Sequence, residues 1–263
     1  MSKDPRGGKN TFRTKNKKTS EASLKKKSSN WKSKLKYWAI KITLYFFAIS
    51  IGLVVLYKFM PIPVTSTMIA RKMEAIADGQ DSEIYYNWVS YANISKEAPL
   101  AVVAAEDQLF PDHNGFDFEA MGNAFSKNLK GKKLRGASTL SQQVAKNVFL
   151  WQSRSYVRKV LEVYFTVLIE LIWGKERILE VYLNVAEMGS MTFGVEEASK
   201  RYFNTSAKNL TRQQAARIAS VLPSPIKWSA VKPGPYVNRR TSNIARQMRA
   251  LGGVAYINDL RSF

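Results

Sequence analysis

The segment AAEDQLFPDHNG at residues 104–115 contains Glu106, Asp107 and His113, whose side chains can transfer protons. Glu106 follows an apolar run, PLAVVAA, and falls in the last turn of a predicted helix. The negative end of the helix dipole and the apolar neighbourhood both oppose ionisation, so we expect Glu106 to be unusually basic. Such a carboxylate suits general base catalysis, although a solvated helix end explains this segment equally well by itself.

The same segment contains Asp107, next to Glu106, and His113, the only histidine of the chain. Asp107 is predicted to point about 100° around the helix from Glu106, so the two carboxylates do not share one proton. His113 follows in the loop after the helix. Because the chain has one histidine and no cysteine, it offers no plausible zinc site and forms no disulfide.

A second unusual carboxylate, Glu162, lies inside the most apolar predicted helix, residues 154–173. Arg158 precedes it by one helical turn and Lys159 by slightly less, which places the three side chains on one helical face. One interpretation is an ion pair on a polar stripe of the helix. The other is an acid that lies beside a site for anions.

A basic segment, KGKKLRGASTLSQQVAKN, leads into another predicted helix. The charged positions of its loop are Lys130, Lys132, Lys133 and Arg135. A helix N-terminus after such a loop is suited to binding phosphate, and a capping box of Thr139 with Gln142 marks it. The polar residues that follow on the helix are Gln143, Lys146 and Asn147. A solvated loop is the plainer interpretation of this segment alone, and its glycine spacing is not that of a P-loop.

The elements that must position these residues are mainly helices. Besides the three helices above, apolar periodicity predicts helices over residues 175–188, 206–222 and about 236–250. A second capping box, Thr211 with Gln214, lies inside the middle one of these segments. Since strand patterns are scarce, the domain is predicted to be mainly α.

The first 60 residues differ in composition from the rest. Residues 1–36 carry 13 Lys or Arg against two acidic residues, about half of the net charge of +21, and we expect a disordered basic tail there. Residues 37–60, YWAIKITLYFFAISIGLVVLYKFM, are long and apolar enough for a transmembrane signal anchor, with aromatic and lysine side chains near its ends. A basic tail can bind nucleic acid, but beside such an anchor no nucleic-acid partner is expected.

The charges around this anchor predict its orientation. The tail before it is strongly basic, whereas the segment after Met60 carries few charges. The positive-inside rule then puts the N-terminus in the cytoplasm and residues 61–263 on the outer face of the membrane. We therefore expect one extracytoplasmic domain behind a single-pass anchor.

Five stretches, taken together and in order, resemble the motifs of the peptidoglycan glycosyltransferase family in its monofunctional form. They are EDQLFPDHNG, RGASTLSQQVAKN, RKVLE, KERILEVYLNVAEMG and LTRQQAARIASVLPSP, all within residues 95–240. One such motif is weak evidence, but five motifs at family-like spacing are specific. Because the chain ends at residue 263, no transpeptidase domain is expected after them.

This resemblance implies a lysozyme-like, mainly α-helical catalytic domain with a small membrane-facing jaw lobe. It implies a transferase of the bacterial cytoplasmic (inner) membrane that polymerises lipid II into β-1,4-linked glycan strands for the cell wall. The donor would be the growing glycan chain and the acceptor the 4-hydroxyl of an incoming lipid II. Undecaprenyl pyrophosphate would be released.

The resemblance also implies a role for each of the residues singled out above. Glu106 would deprotonate the acceptor hydroxyl, and Glu162 would assist the departure of pyrophosphate or hold the donor. Pyrophosphate would be bound by Thr139, Lys146, Arg158 and Lys159. The site would be shaped by Asp107, Phe110, His113, Gln143 and Asn147.

No cofactor is required by this family's chemistry, although a divalent cation could assist. The implied partners are lipid II, the growing glycan chain, membrane lipids and proteins of cell-wall synthesis or division. Two alternatives keep the same helical fold, namely a lytic enzyme that cuts glycan and a membrane scaffold without turnover. The lytic enzyme leaves Lys146 and Arg158 unexplained, and the intact motifs argue against the scaffold.

Overall fold

Helices dominate the structure, as the sequence predicts. The computed structural model describes residues 1, 12–122, 138–258 and 260, and for residues 12–30 it describes the backbone alone. In this part of the chain the strands are few and short. The contacts within the chain divide it into two units, Met1–Leu53 and Val54–Phe263.

Helix α1 (Phe12–Phe59) supplies the first unit and the beginning of the second. Its segment Trp31–Phe59 contains an 18-residue stretch with a mean hydropathy of 2.2 and is long and apolar enough to cross a membrane. Large apolar side chains are exposed along it, for example Ile42, Leu44 and Ile49. Lipid chains would cover such a surface, so this helix indicates an N-terminal membrane anchor.

Helix α1 begins earlier than the sequence predicts. Residues 12–36 belong to the predicted disordered tail, whereas the structure has helix from Phe12 onward. Lysine is a good helix former, and extending an existing helix adds one hydrogen bond for each residue that is ordered. Residues 2–11 lie outside the described part of the chain.

The second unit contains the remaining described elements. Its helices are α2 (Ser66–Ala77), α3 (Glu97–Glu106), α4 (Leu140–Phe149), α5 (Tyr156–Ile172), α6 (Gly174–Val185), α7 (Val195–Phe203), α8 (Arg212–Val221) and α9 (Pro235–Ala250). Short 3-10 helices cover Tyr91–Asn93, Ala207–Asn209 and Gly253–Ile257. Strands β1 (Tyr85–Tyr86), β2 (Glu187–Gly189) and β3 (Thr192–Phe193) form a small sheet in the order β1-β3-β2. In this sheet β1 is parallel and β2 antiparallel to β3.

Helix α3 lies in the core of the second unit. Every residue from Ala98 to Ala104 is buried, because the run APLAVVA has no polar side chain to turn toward water. The helix packs against α8 and α9 and also contacts α6. A helix enclosed in this way holds its last residue, Glu106, at a fixed place in the domain.

Helices α4, α5 and α6 pack together beside α3. The predicted capping box starts α4, since Thr139 Oγ1 accepts from the Gln142 backbone amide and Gln142 Oε1 accepts from the Thr139 backbone amide. The rings of Phe149 in α4 and Phe165 in α5 stack with centroids 4.6 Å apart. Gly174, at φ 75°, turns the chain from α5 into α6, a conformation that glycine adopts without steric cost.

The last turns of α1 belong to the second unit. Trp173 Nε1 donates to the Val54 carbonyl at 2.7 Å, and Arg177 Nη2 donates to the carbonyls of Tyr57 and Met60 at 2.8 and 2.6 Å. The sequence predicts that the domain starts at residue 61. In the structure its contacts already begin at Val54.

Candidate active site

The end of α3 opens onto a cleft of about 870 Å³. One wall is a single face of α9, which presents Tyr236, Arg240, Asn243 and Gln247 at intervals of three or four residues. Glu106 and Gln143 line the opposite side. Polar side chains therefore surround the carboxylate that the sequence singles out.

Three helices hold the Glu106 carboxylate in place. Gln143 Nε2 of α4 donates to Glu106 Oε2 at 3.4 Å, and Arg240 Nη2 of α9 donates to Glu106 Oε1 at 3.1 Å. Tyr182 of α6 donates its hydroxyl proton to Gln143 Oε1 at 3.3 Å and so fixes the amide. The orientation of the carboxylate is thus set from both sides of the cleft.

Burial raises the pKa of the Glu106 carboxyl above its ordinary value. The ion pair with Arg240 and the hydrogen bond from Gln143 oppose this increase, while the Asp107 carboxylate adds to it. The direction agrees with the sequence prediction, with desolvation as the main cause. A carboxylate with a raised pKa is a stronger base.

Asp107 lies just beyond the end of α3. This corrects the prediction that Asp107 is part of the helix and points about 100° around it from Glu106. Its backbone is extended at φ −159°, and its carboxylate accepts from His113 Nε2 at 2.9 Å and from the Leu140 backbone amide at 2.9 Å. His113 Nδ1 accepts from the Gly115 amide at 3.1 Å, so the ring proton is placed on Nε2. Asp107 therefore ties its loop to the start of α4.

Several residues that the family resemblance assigns to the substrate site are placed beneath it or away from it. Phe110 is completely buried, and Asn147 Oδ1 accepts from Thr67 on α2 at 3.4 Å. Thr139 is buried and donates to the Gly115 carbonyl at 2.7 Å, although it also lines a small cavity beside Glu106. Among the described residues, Phe110, His113 and Asn147 do not line the cavities at this site. A sequence motif does not distinguish a residue that faces the substrate from one that supports it.

A second cavity of about 270 Å³ adjoins the cleft, since Ser138 and Gln143 line both. Its charged lining residues are Lys146, Arg154, Arg158, Lys159 and Glu162. Four cations against one carboxylate give this cavity a positive potential, as an anion site requires.

Glu162 orders the cations around it. Its carboxylate is buried and accepts from Arg158 Nη1 at 2.6 Å and from Lys159 Nζ at 2.5 Å. The Nε atom of Arg158 is buried and has no hydrogen-bond partner within the part of the chain that the structure describes. Burial lowers the pKa of the Lys146 ammonium, with Glu162 opposing this and the two neighbouring cations adding to it. The cluster therefore has donor capacity for an additional anion.

Some residues of the site could not be found from the sequence. Arg240 is 134 positions from Glu106, and periodicity does not tell whether it or Arg239 reaches the carboxylate. Arg154 precedes its helix and carries no motif of its own. The basic loop at residues 130–135 lies outside the described residues. Among the residues that the structure does describe, no group of three or more His, Cys, Asp or Glu could hold a metal ion.

Known proteins are similar in sequence to this chain over most of its length. A family model described as Transglycosylase matches residues 72–249. The chain is similar to the biosynthetic peptidoglycan transglycosylase of Pseudomonas putida strain F1, with 51% identity over 83% of this chain and 93% of the relative. The biosynthetic peptidoglycan transglycosylase of Pseudomonas aeruginosa PAO1 is 49% identical over 82% of this chain and 94% of the relative. That of Pseudomonas fluorescens SBW25 is 48% identical over 85% and 93%.

Proposed function

This chain belongs to the transglycosylase family, and we propose that its peptidoglycan glycosyltransferase activity uses Glu106 as the general base. The 4-hydroxyl of the GlcNAc of an incoming lipid II transfers its proton to the Glu106 carboxylate. The hydroxyl oxygen bonds to C1 of the donor sugar at the end of the growing glycan chain. The bond from C1 to the pyrophosphate breaks, and undecaprenyl pyrophosphate leaves. An α-linked donor then gives a β-1,4 product.

One observation carries this proposal: a buried carboxylate with a raised pKa faces a cleft that adjoins a cationic cavity. The carboxylate takes up a proton on one side, while negative charge develops on the departing pyrophosphate on the other. Preorganised cations near a developing negative charge stabilise the transition state. A glycan-cutting enzyme releases no pyrophosphate and therefore has no use for the cationic cavity.

The cationic cavity would bind the pyrophosphate of the donor. Lys146, Arg158 and Lys159 are the direct contacts that we propose, and Arg154 joins them from the loop before α5. Glu162 is already bonded to Arg158 and Lys159, so its role is to hold these cations in place. A carboxylate in this position also limits the net charge that repels Lys146.

Five further residues would position the site, and of these Asp107 and Thr139 also line cavities beside Glu106. Asp107 and His113 join the loop after α3 to the start of α4, and Thr139 ties that start to Gly115. Phe110 fills the core below the loop. Asn147 fixes α4 against α2. We propose that all five residues affect the rate through the placement of Glu106 and Gln143. Phe110, His113 and Asn147 do not line the three cavities at the site and would make no contact with sugar.

The surface of the second unit supports a place beside the membrane. One face of α5 exposes a stripe of apolar side chains at Tyr156, Val160, Val163, Val167 and Leu171. The α2 helix exposes a similar stripe at Ile69, Met73 and Ile76. Contiguous exposed apolar side chains are typical of interaction surfaces, and a lipid-linked substrate makes the bilayer the fitting partner. We propose that this surface forms the membrane-facing jaw lobe.

The chain's arrangement in the cell follows from the same reasoning. We propose a basic tail over residues 1–36, an anchor over residues 37–60 and a catalytic domain over residues 61–263. The excess of lysine before the anchor places the N-terminus in the cytoplasm and the domain on the outer face of the inner membrane. Proteins of cell-wall synthesis or division are the partners expected there.

The test is polymerisation of labelled lipid II by the purified full chain in detergent. The products are separated on a gel and treated with lysozyme, which must digest any glycan strand. The Glu106→Gln variant keeps the shape of the side chain and loses the base, so we expect no polymer from it. Glu97→Gln makes the same change at the other end of α3 and should leave the polymer ladder intact.

Polymer made by Glu106→Gln at the parental rate would refute the assignment of the base. Release of fragments from preformed glycan, without polymer from lipid II, would favour the lytic enzyme. In both cases circular dichroism must show that the variant retains its helical content.

A further inference from the structure

A buried ion pair lies directly beneath the site. Lys175, at the start of α6, has 2% of its surface exposed, and Glu170 of α5 has 7%. Lys175 Nζ donates to Glu170 Oε1 at 2.8 Å. Neither residue lines the cleft or the cationic cavity, and the proposed reaction uses neither. Burial of two charges is costly unless both find partners, so their partners indicate what the pair does.

The lysine of this pair supports the loop after α3. Lys175 Nζ donates to the His113 carbonyl at 2.5 Å and lies 4.4 Å from the centre of the Phe110 ring. A cation over an aromatic face is attracted to it, particularly where water is excluded. Lys175 thus fixes both the backbone and the aromatic anchor of the loop that begins at Asp107.

The glutamate of the pair supports the start of α4. Glu170 Oε1 accepts a hydrogen bond from the Ser141 hydroxyl, which is also buried. Asp107 accepts from the backbone amide of Leu140, one residue earlier. The first turn of α4 is therefore held by two carboxylates, one from the loop and one from the ion pair.

These contacts connect the base with the cationic cavity. Glu106 immediately precedes the loop, and α4 carries Gln143 and Lys146. We propose that the Glu170–Lys175 pair is a positioning pair, which sets the separation between Glu106 on α3 and Lys146 on α4. This inference rests on the proposed function, because those two residues matter together only if one accepts the proton and the other binds the leaving group.

The alternative is a pair that serves folding alone, and the two roles differ in what they predict. Replacement of a whole buried ion pair by apolar residues of similar size is often neutral for stability. If the pair serves only folding, Glu170→Met/Lys175→Met should retain the parental rate. If it positions the site, the double variant should fold and lose kcat by roughly 10- to 100-fold, since small displacements of reacting groups have effects of this size. The KM for lipid II should change much less.

The experiment measures Tm, kcat and KM of this double variant with lipid II. The control is Arg71→Met/Glu187→Met, which removes an ion pair between α2 and β2, away from the cleft. A fall in kcat of fivefold or more relative to this control, at a Tm within about 5 °C of it, supports positioning. A smaller fall overturns the proposal.

A double variant that does not fold is replaced by Ser141→Ala, which removes one bond between the pair and α4. A threefold or larger fall in kcat at the parental Tm supports the proposal, and an unchanged kcat overturns it. Glu106→Gln is assayed alongside. If it remains active, the proposed function fails, whereas an inactive Glu106→Gln beside a fully active double variant refutes the positioning pair alone.

Discussion

Gly115 provides a sharp test of how tightly the loop after α3 is packed. Its backbone has a φ of 85°, its amide donates to His113, and its carbonyl accepts from Thr139. A Cβ atom added there would lie 2.7 Å from Thr166 Cγ2 and 2.9 Å from Glu170 Cγ. Both distances are shorter than a carbon–carbon contact allows. Gly115→Ala should therefore disturb the loop in two ways, by backbone strain and by overlap.

The expected loss of stability can be estimated in two parts. Alanine in the left-handed region costs about 1–2 kcal/mol, part of which is offset because alanine restricts the unfolded chain by about 0.4–1 kcal/mol. Overpacking in a tight core adds about 1–3 kcal/mol. Glu170 cannot easily move aside, because it is bonded to Lys175 and Ser141. We expect Gly115→Ala to lower the free energy of unfolding by about 2–4 kcal/mol.

Gly79→Ala is the matched control. Gly79 also has a positive φ, 63°, but an added Cβ would meet nothing within 4 Å. The control should show the backbone cost alone, about 1 kcal/mol, which corresponds to roughly 2–4 °C in Tm for a domain of this size.

The assay is thermal unfolding of each full-length variant in detergent, followed by lipid II polymerisation. Gly115→Ala should unfold several degrees below Gly79→Ala and polymerise more slowly. Equal Tm values for the two variants would refute the packing argument.

Three further predictions concern single side chains. Arg240→Met removes the cation that lowers the pKa of Glu106, so the acidic limb of the kcat/KM profile should move to higher pH, whereas Arg239→Met should leave it in place. Lys146→Ala should lower kcat/KM for lipid II by roughly 10- to 100-fold, as expected for a charged hydrogen bond, and an unchanged value would reject the phosphate contact. Asn184→Ala removes the two hydrogen bonds between this buried side chain and the half-buried backbone of Val89, so it should lower the free energy of unfolding in chemical denaturation by about 1–3 kcal/mol, with the folded fraction still active.

Much of the fold could be predicted from local rules of helix formation. Both capping boxes, at Thr139 and at Thr211, start their helices as predicted, because a capping box depends on residues only three positions apart. The placement of Glu106 in the last turn of α3 is also confirmed. The spacing of Arg158, Lys159 and Glu162 placed the three charges on one face, since that too is a property of a single helix.

The parts that sequence reasoning did not reach depend on contacts between distant segments. The partner of Glu106 comes from α9, and Phe110, which the family motif offered as a site residue, is buried under Lys175 of α6. The spacing of residues within one helix does not predict contacts between side chains of different helices. The helical start of α1 was missed for a different reason, because the composition of residues 12–36 suits a disordered tail and a lysine-rich helix alike.

The role of general base that we propose for Glu106 depends on two opposing effects on its pKa, which only the folded chain creates. Burial alone would favour a protonated Glu106, which could not accept the hydroxyl proton. A fully solvated carboxylate beside Arg240 would remain ionised but would be a weak base. The structure combines the two, since α3 buries the carboxyl while Arg240 and Gln143 stabilise its charged form. Two opposing effects also act on Lys146. Burial lowers the pKa of its ammonium, and the neighbouring Glu162 carboxylate raises it. The two roles that we propose, proton acceptance and stabilisation of the leaving group, would thereby lie in two adjacent cavities, joined at Ser138 and Gln143.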